Sequence, residues 1–177
     1  MKKVYIILTN SGSLLSKVIK FYTKKEYTHV SISLDRGLRK MYSFGRLKAY
    51  NPFIGGFVHE STNHGTFKRF KNTTTCIFSI DVEEEEYETI KQTIKEFKRQ
   101  RRIYKFNIIG LFAVAIHLKL RFKNSFYCAE FVKEVLQRAN VAPDLPKIIK
   151  PEDFRKMENS SVIYQGMLKD YSIRDSA

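Results

Sequence analysis

Cysteine is almost absent from this chain, acids are scarce beside bases, and no apolar run reaches membrane length. Two cysteines occur, Cys76 and Cys128, too few for the disulfide framework of a small secreted domain. A reduced, cytoplasmic protein is the expectation, with a Cys76–Cys128 bridge as the one covalent alternative. The apolar run at residues 4–8 is shorter than the about 7–15 residues of a secretory h-region. The run at 108–116 falls well below the roughly 20 residues that span a bilayer. Acids number 18 against 32 Lys and Arg, a net charge of +14. Such a field draws anionic partners (nucleic acid, acidic cell-wall polymer, anionic membrane) without choosing among them. The phosphate loops Gly-x-x-x-x-Gly-Lys and Gly-x-Gly-x-x-Gly are missing, as is the Gly-x-Ser-x-Gly elbow. His59 and His64 stand five apart with no cysteine pair, which is not a zinc spacing, so neither metal nor cofactor is expected. Basic-aromatic runs at 67–70 and 102–106 could stack single-stranded nucleic acid, yet no RNA-binding motif accompanies them. No repeat, linker or low-complexity stretch appears, so a single domain over 1–177 is expected.

What remains is 43% apolar and 14% aromatic, enough for a packed core. Residues 4–8 read as a short buried strand, and Leu14, Leu15, Val18, Ile19 and Tyr22 give a helix over about 12–23. Residues 28–34 alternate, with Thr28, Val30, Ile32 and Leu34 on one face and Tyr27, His29, Ser31 and Ser33 on the other. A turn at Asp35-Arg36-Gly37 leads to a partner strand at 41–45. Asn51-Pro52 and Gly55-Gly56 read as a loop before a short strand at 57–60. Residues 73–80 are β-rich. Asp81 is the expected cap of a helix with Glu83 to Glu86 in its first turn and Lys98 to Arg102 at its end, a charge run that complements the helix dipole. A buried helix is expected over 107–118, with His117 as its C-terminal cap. Asn124 or Ser125 is the expected cap of the next helix, which runs to about Arg138. A last strand is expected near 162–164.

Two residues carry chemistry. Cys128 begins the apolar stripe Cys128, Phe131, Val132, Val135, Leu136, Ala139, and so reads first as core. It also lies in the first turn of its helix, where the dipole favours a thiolate and backbone N–H groups can hold an oxyanion. His29 sits on the polar face of its strand, where the small neighbours Ser31 and Ser33 would let a helix end approach. A thiol at a helix start and an imidazole on a distant strand suit a nucleophile and its base. Gly12-Ser13, between a strand and a helix, and the nearby Ser11 are candidates to bind an anionic part of a substrate.

The order strand, Ser-Gly-Ser-Leu-Leu-Ser helix, Tyr-Thr-His-Val-Ser-Ile strand, Tyr-Ser-Phe-Gly strand and late Phe-Tyr-Cys-Ala-Glu-Phe-Val helix resembles a known family. It is similar to the circularly permuted, NlpC-type branch of the papain-like hydrolases, the YiiX/YaeF-like amidases. Lecithin retinol acyltransferase is among their distant cousins. The resemblance implies Cys128 as nucleophile and His29 as general base. It also implies a third polar residue to orient the imidazole: Ser43, on the next strand, or Glu60, on the one after. Tyr127 could add a hydroxyl to the oxyanion site, although neighbours on a helix diverge by about 100°.

The expected fold is therefore α+β and papain-like, with an antiparallel sheet of about five strands and the cysteine helix on one face. The expected function is that of a cysteine peptidase or amidase acting on a peptide or cell-wall fragment. The alternatives are a lipid acyltransferase or esterase of the same fold, and a silent basic domain that binds nucleic acid or anionic membrane.

Overall fold

A computed structural model describes residues 1–48, 51–115, 118, 120 and 122–172, without the side chains of 51–53 and 115. The elements run β1 (Lys2–Asn10), α1 (Leu14–Thr23), β2 (His29–Ser33), β3 (Met41–Lys48), β4 (Asn51–Glu60), α2 (Gly65–Arg69) and β5 (Thr74–Val82). They continue with α3 (Glu84–Arg99), β6 (Lys105–Phe106), α4 (Ile108–Ala115), β7 (Ser125–Phe126), α5 (Cys128–Arg138), a 3-10 turn (Pro151–Lys156), β8 (Ser160–Met167) and a short 3-10 turn (Leu168–Asp170). Six strands form an antiparallel sheet in the order β4-β3-β2-β1-β5-β8, while β6 and β7 pair in parallel apart from it. The protein is α+β.

β1 lies between β2 and β5 with both faces covered, and residues 4–9 are all buried. A continuous apolar run is what such a position demands. Its alternate residues feed two cores. Ile6 and Leu8 join Val30, Ile32, Phe44, the α3 residues Ile90, Ile94 and Phe97, and the α5 residues Phe131, Val132 and Leu136. Tyr5 and Ile7 join Met41, Phe67 and Ile77 in a smaller core on the other face.

An aromatic cluster fixes where α5 begins. The Phe44 ring on β3 lies 5.4 Å from both Phe126 and Phe131, and Phe97 lies 5.2 Å from Phe126 and 5.1 Å from Phe131. Phe126 and Phe131 flank Cys128 in sequence, so rings on both sides of the thiol pin that helix end over the sheet.

Several expectations change. Residues 51–60 are one strand, not a loop and a short strand. A Cβ on Gly55 would stand 2.6 Å from the Phe106 ring, so this glycine marks a close approach by β6 rather than a turn. Asp81 belongs to β5 and pairs with Lys3; the α3 cap is Glu83, whose N–H donates to Glu86 at 2.8 Å. Asn124 and Ser125 do not cap α5 either. Asn124 takes a left-handed φ of 54°, residues 125 and 126 pair with β6, and the cap is Tyr127. Among the described residues of the 107–118 segment the helix is Ile108–Ala115, and Ile109 and Phe112 face solvent. His117 lies outside the described residues. No helix among them is long and apolar enough to cross a membrane.

Candidate active site

Three element ends meet at one cavity. His29 is the first residue of β2, Cys128 the first of α5 and Glu60 the last of β4, and all three line a cavity of about 60 Å³. Nε2 of His29 lies 3.2 and 3.1 Å from the two carboxylate oxygens of Glu60. Ser31, two residues along β2 and hence on the same face, donates its hydroxyl to Glu60 Oε2 at 2.6 Å. Its Oγ is also 3.3 Å from Nε2. The Cys128 side chain lines the same cavity as the imidazole.

The charges follow from this geometry. The His29 and Glu60 side chains are only 23% and 14% exposed. Burial alone would discharge His29, but the Glu60 carboxylate and the Cys128 sulfur outweigh it and raise the imidazole to about 10. Burial likewise pushes Glu60 up. Its hydrogen bonds and charge contact with His29, the Ser31 hydroxyl and the nearby Arg46 outweigh that and hold it below the usual carboxylate range. Imidazolium beside carboxylate is the state at neutral pH.

Neighbours fix the ring. A Cβ on Gly45 of β3 would lie 3.4 Å from His29 Cε1, so the imidazole rests against a position without a side chain. At Cys128, 3% exposed, the first turn of α5 contributes N–H groups without intrahelical partners and the positive end of the dipole. Negative charge on a tetrahedral oxyanion is favoured there. Cys76 is free too, fully buried on β5, and no disulfide joins the two cysteines.

The remaining candidates divide. Ser43 is fully buried and donates its hydroxyl to the Val30 carbonyl at 2.6 Å, so it does not orient His29; Glu60 does. Tyr127 donates to the Ile149 carbonyl at 3.0 Å, and burial drives its phenol far above its ordinary value. Its hydroxyl is committed away from the cavity. Ser11 and Ser13 do line the cavity, but Ser13 caps α1 by accepting from the Ser16 N–H, and Ser11 donates to Ser13 at 3.0 Å. Ser31 and Ser33 make no room for a helix end. α5 packs on the Val30 and Ile32 face, while Ser31 holds Glu60 and Ser33 bonds the carbonyls of Asp35 and Lys40 in the β2–β3 turn. His59 and His64 are exposed on β4 and just before α2, and His59 stacks near Tyr42.

Sequence reading missed Arg46 and Thr9. Arg46 follows Gly45 on β3 and lines the cavity. Thr9 stands opposite His29 in the β1–β2 register. Its buried hydroxyl lines the cavity and finds no partner among the described residues, leaving it to meet a polar atom placed there. Only pairing register exposes Thr9, which the one-dimensional pattern lacks.

No protein-family model, curated protein or solved structure matches this chain.

Proposed function

We propose that the protein is a cysteine hydrolase of the permuted papain-like kind, cleaving an amide in a peptide or cell-wall fragment. One observation carries the reading: Glu60 holds His29 through Nε2, and the Cys128 thiol lines the same cavity. In acylation the Cys128 thiolate attacks the carbonyl carbon, the C–N bond breaks, and His29 gives its proton to the departing amine. Water then attacks the thioester as His29 takes a proton from it. The C–S bond breaks, the acid departs, and the thiolate–imidazolium pair is restored. Glu60 stays ionised throughout and fixes the ring. Histidine before cysteine in the chain, and the cysteine helix packed on an antiparallel sheet, support the permuted assignment.

An ester would open by the same steps, with an alcohol leaving. The apolar walls Leu15, Ile19, Phe106 and Leu111 favour a lipid acyl group as the second reading. A silent basic domain would need neither thiol nor imidazole. Iodoacetamide at pH 6 separates these classes. Cys128 should be labelled faster than a free thiol, Cys76 should stay unlabelled, and His29→Ala should remove the advantage. Labelling of Cys128 at the free-thiol rate sinks the proposal.

A further inference from the structure

Around the mouth of the cavity the molecule turns apolar side chains outward. On α1, Leu14, Val18 and Phe21 recur at i, i+4 and i+7 along one stripe. Leu14 is 81% and Phe21 77% exposed, and Tyr22 adds a further exposed ring. On α4, which packs against α1, Ile109 and Phe112 are exposed at i and i+3. Their sequence neighbours face the other way: Leu15 and Leu111 line the cavity that reaches Cys128. The lip of the cavity is thus apolar on both its inner and outer surfaces.

The charge around this patch identifies what it meets. Lys17, Lys20, Lys24 and Lys25 are exposed on α1 and just beyond its end, and α1 contains no acid. A contiguous exposed apolar patch marks an interaction site, and lysine is depleted from the centres of protein–protein interfaces. Leucine and aromatic tips ringed by lysines are what an anionic lipid interface accepts: the tips enter the acyl boundary and the lysines meet headgroups.

We propose that the outer faces of α1 and α4 dock on an anionic lipid surface, with the cavity mouth held at headgroup level. Docking requires neither the thiol nor His29. That the docked cavity then takes a lipid's acyl ester or amide rests on the cysteine-hydrolase reading.

Flotation of the full chain with vesicles tests this, comparing equal parts phosphatidylglycerol and phosphatidylcholine with phosphatidylcholine alone. Binding should favour the anionic vesicles and weaken with salt. Phe21→Ser and Leu14→Ser should each reduce affinity about tenfold, the loss expected when one large apolar side chain no longer inserts. Lys17→Glu should cost about fivefold or more. Val162→Ser, at an exposed apolar residue on the opposite edge strand β8, should leave binding unchanged, and all variants should keep the parent circular dichroism. No binding to the anionic vesicles overturns the proposal, as does equal affinity of Phe21→Ser and the parent. A dimer by light scattering that Phe21→Ser abolishes also overturns it, because the face would then belong to a second copy. Cys128→Ala should bind like the parent. Vesicle binding with unaccelerated Cys128 alkylation would leave the docking face standing and remove the hydrolase.

Discussion

The two oxygens of Glu60 lie almost equally far, 3.2 and 3.1 Å, from one nitrogen of His29, so a single carboxylate both charges the ring and sets its rotation. Glu60→Gln keeps the shape and removes the charge. Hydrolysis of an activated ester should fall about a hundredfold, the scale of a general base left unsupported. The alkaline limit of that hydrolysis, which needs the imidazolium as acid, should move from about 10 toward the ordinary imidazole value. An unmoved limit would show that Glu60 does not set the His29 charge.

Stability should report the same pair through pH. His29 is raised in the folded state, so its contribution is full below the ordinary 6.5 and is lost as pH rises through about 10. Glu60 is lowered, so its contribution is present above the ordinary 4.5 and is lost as pH falls through its folded value. The melting-temperature gap between the parent and Glu60→Gln should be widest between about pH 4.5 and 6.5 and narrow on both sides. A gap that is constant with pH would contradict the charged pairing.

Gly45 offers a steric test. Its Cβ position is 3.4 Å from His29 Cε1 and 3.7 Å from Val58, so Gly45→Ala should keep most reactivity. Gly45→Leu must push the ring aside. It should abolish the alkylation advantage of Cys128 with near-parent circular dichroism, and retained reactivity would show that the ring has room to move.

The helix start depends on the rings around it. Phe131 is fully buried within 5.4 Å of Phe44 and 5.1 Å of Phe97. Phe131→Ala should cost about 3–5 kcal/mol in urea unfolding, the usual toll of removing a buried aromatic side chain. A loss below about 1 kcal/mol would mean that the cavity collapses freely.

Much of this site is legible in one dimension because its members sit where local rules speak. Cys128 heads an amphipathic stripe, and His29 lies on the polar face of a regular alternation. What stays hidden is where each hydroxyl sends its hydrogen bond. Ser43 and Ser31 are both small and polar on neighbouring strands, yet one serves a backbone carbonyl and the other Glu60. Composition cannot tell them apart; pairing register can. Glycine and cap signals mislead for a related reason. Gly55 answers to the Phe106 ring, and Asn124 to a left-handed turn before a two-residue strand. Each tertiary demand uses the residue type that a turn or a cap would use.

β4 forms one edge of the sheet, paired with β3, and it ends at Glu60. Edge elements are where native proteins open without unfolding. Detaching the end of β4 would strand His29 beside Cys128 with no carboxylate, while the core around β1 stayed intact. Amide exchange along 57–60 should therefore be faster than along 4–8, and the site should lose its competence at milder denaturant than the one that melts the fold.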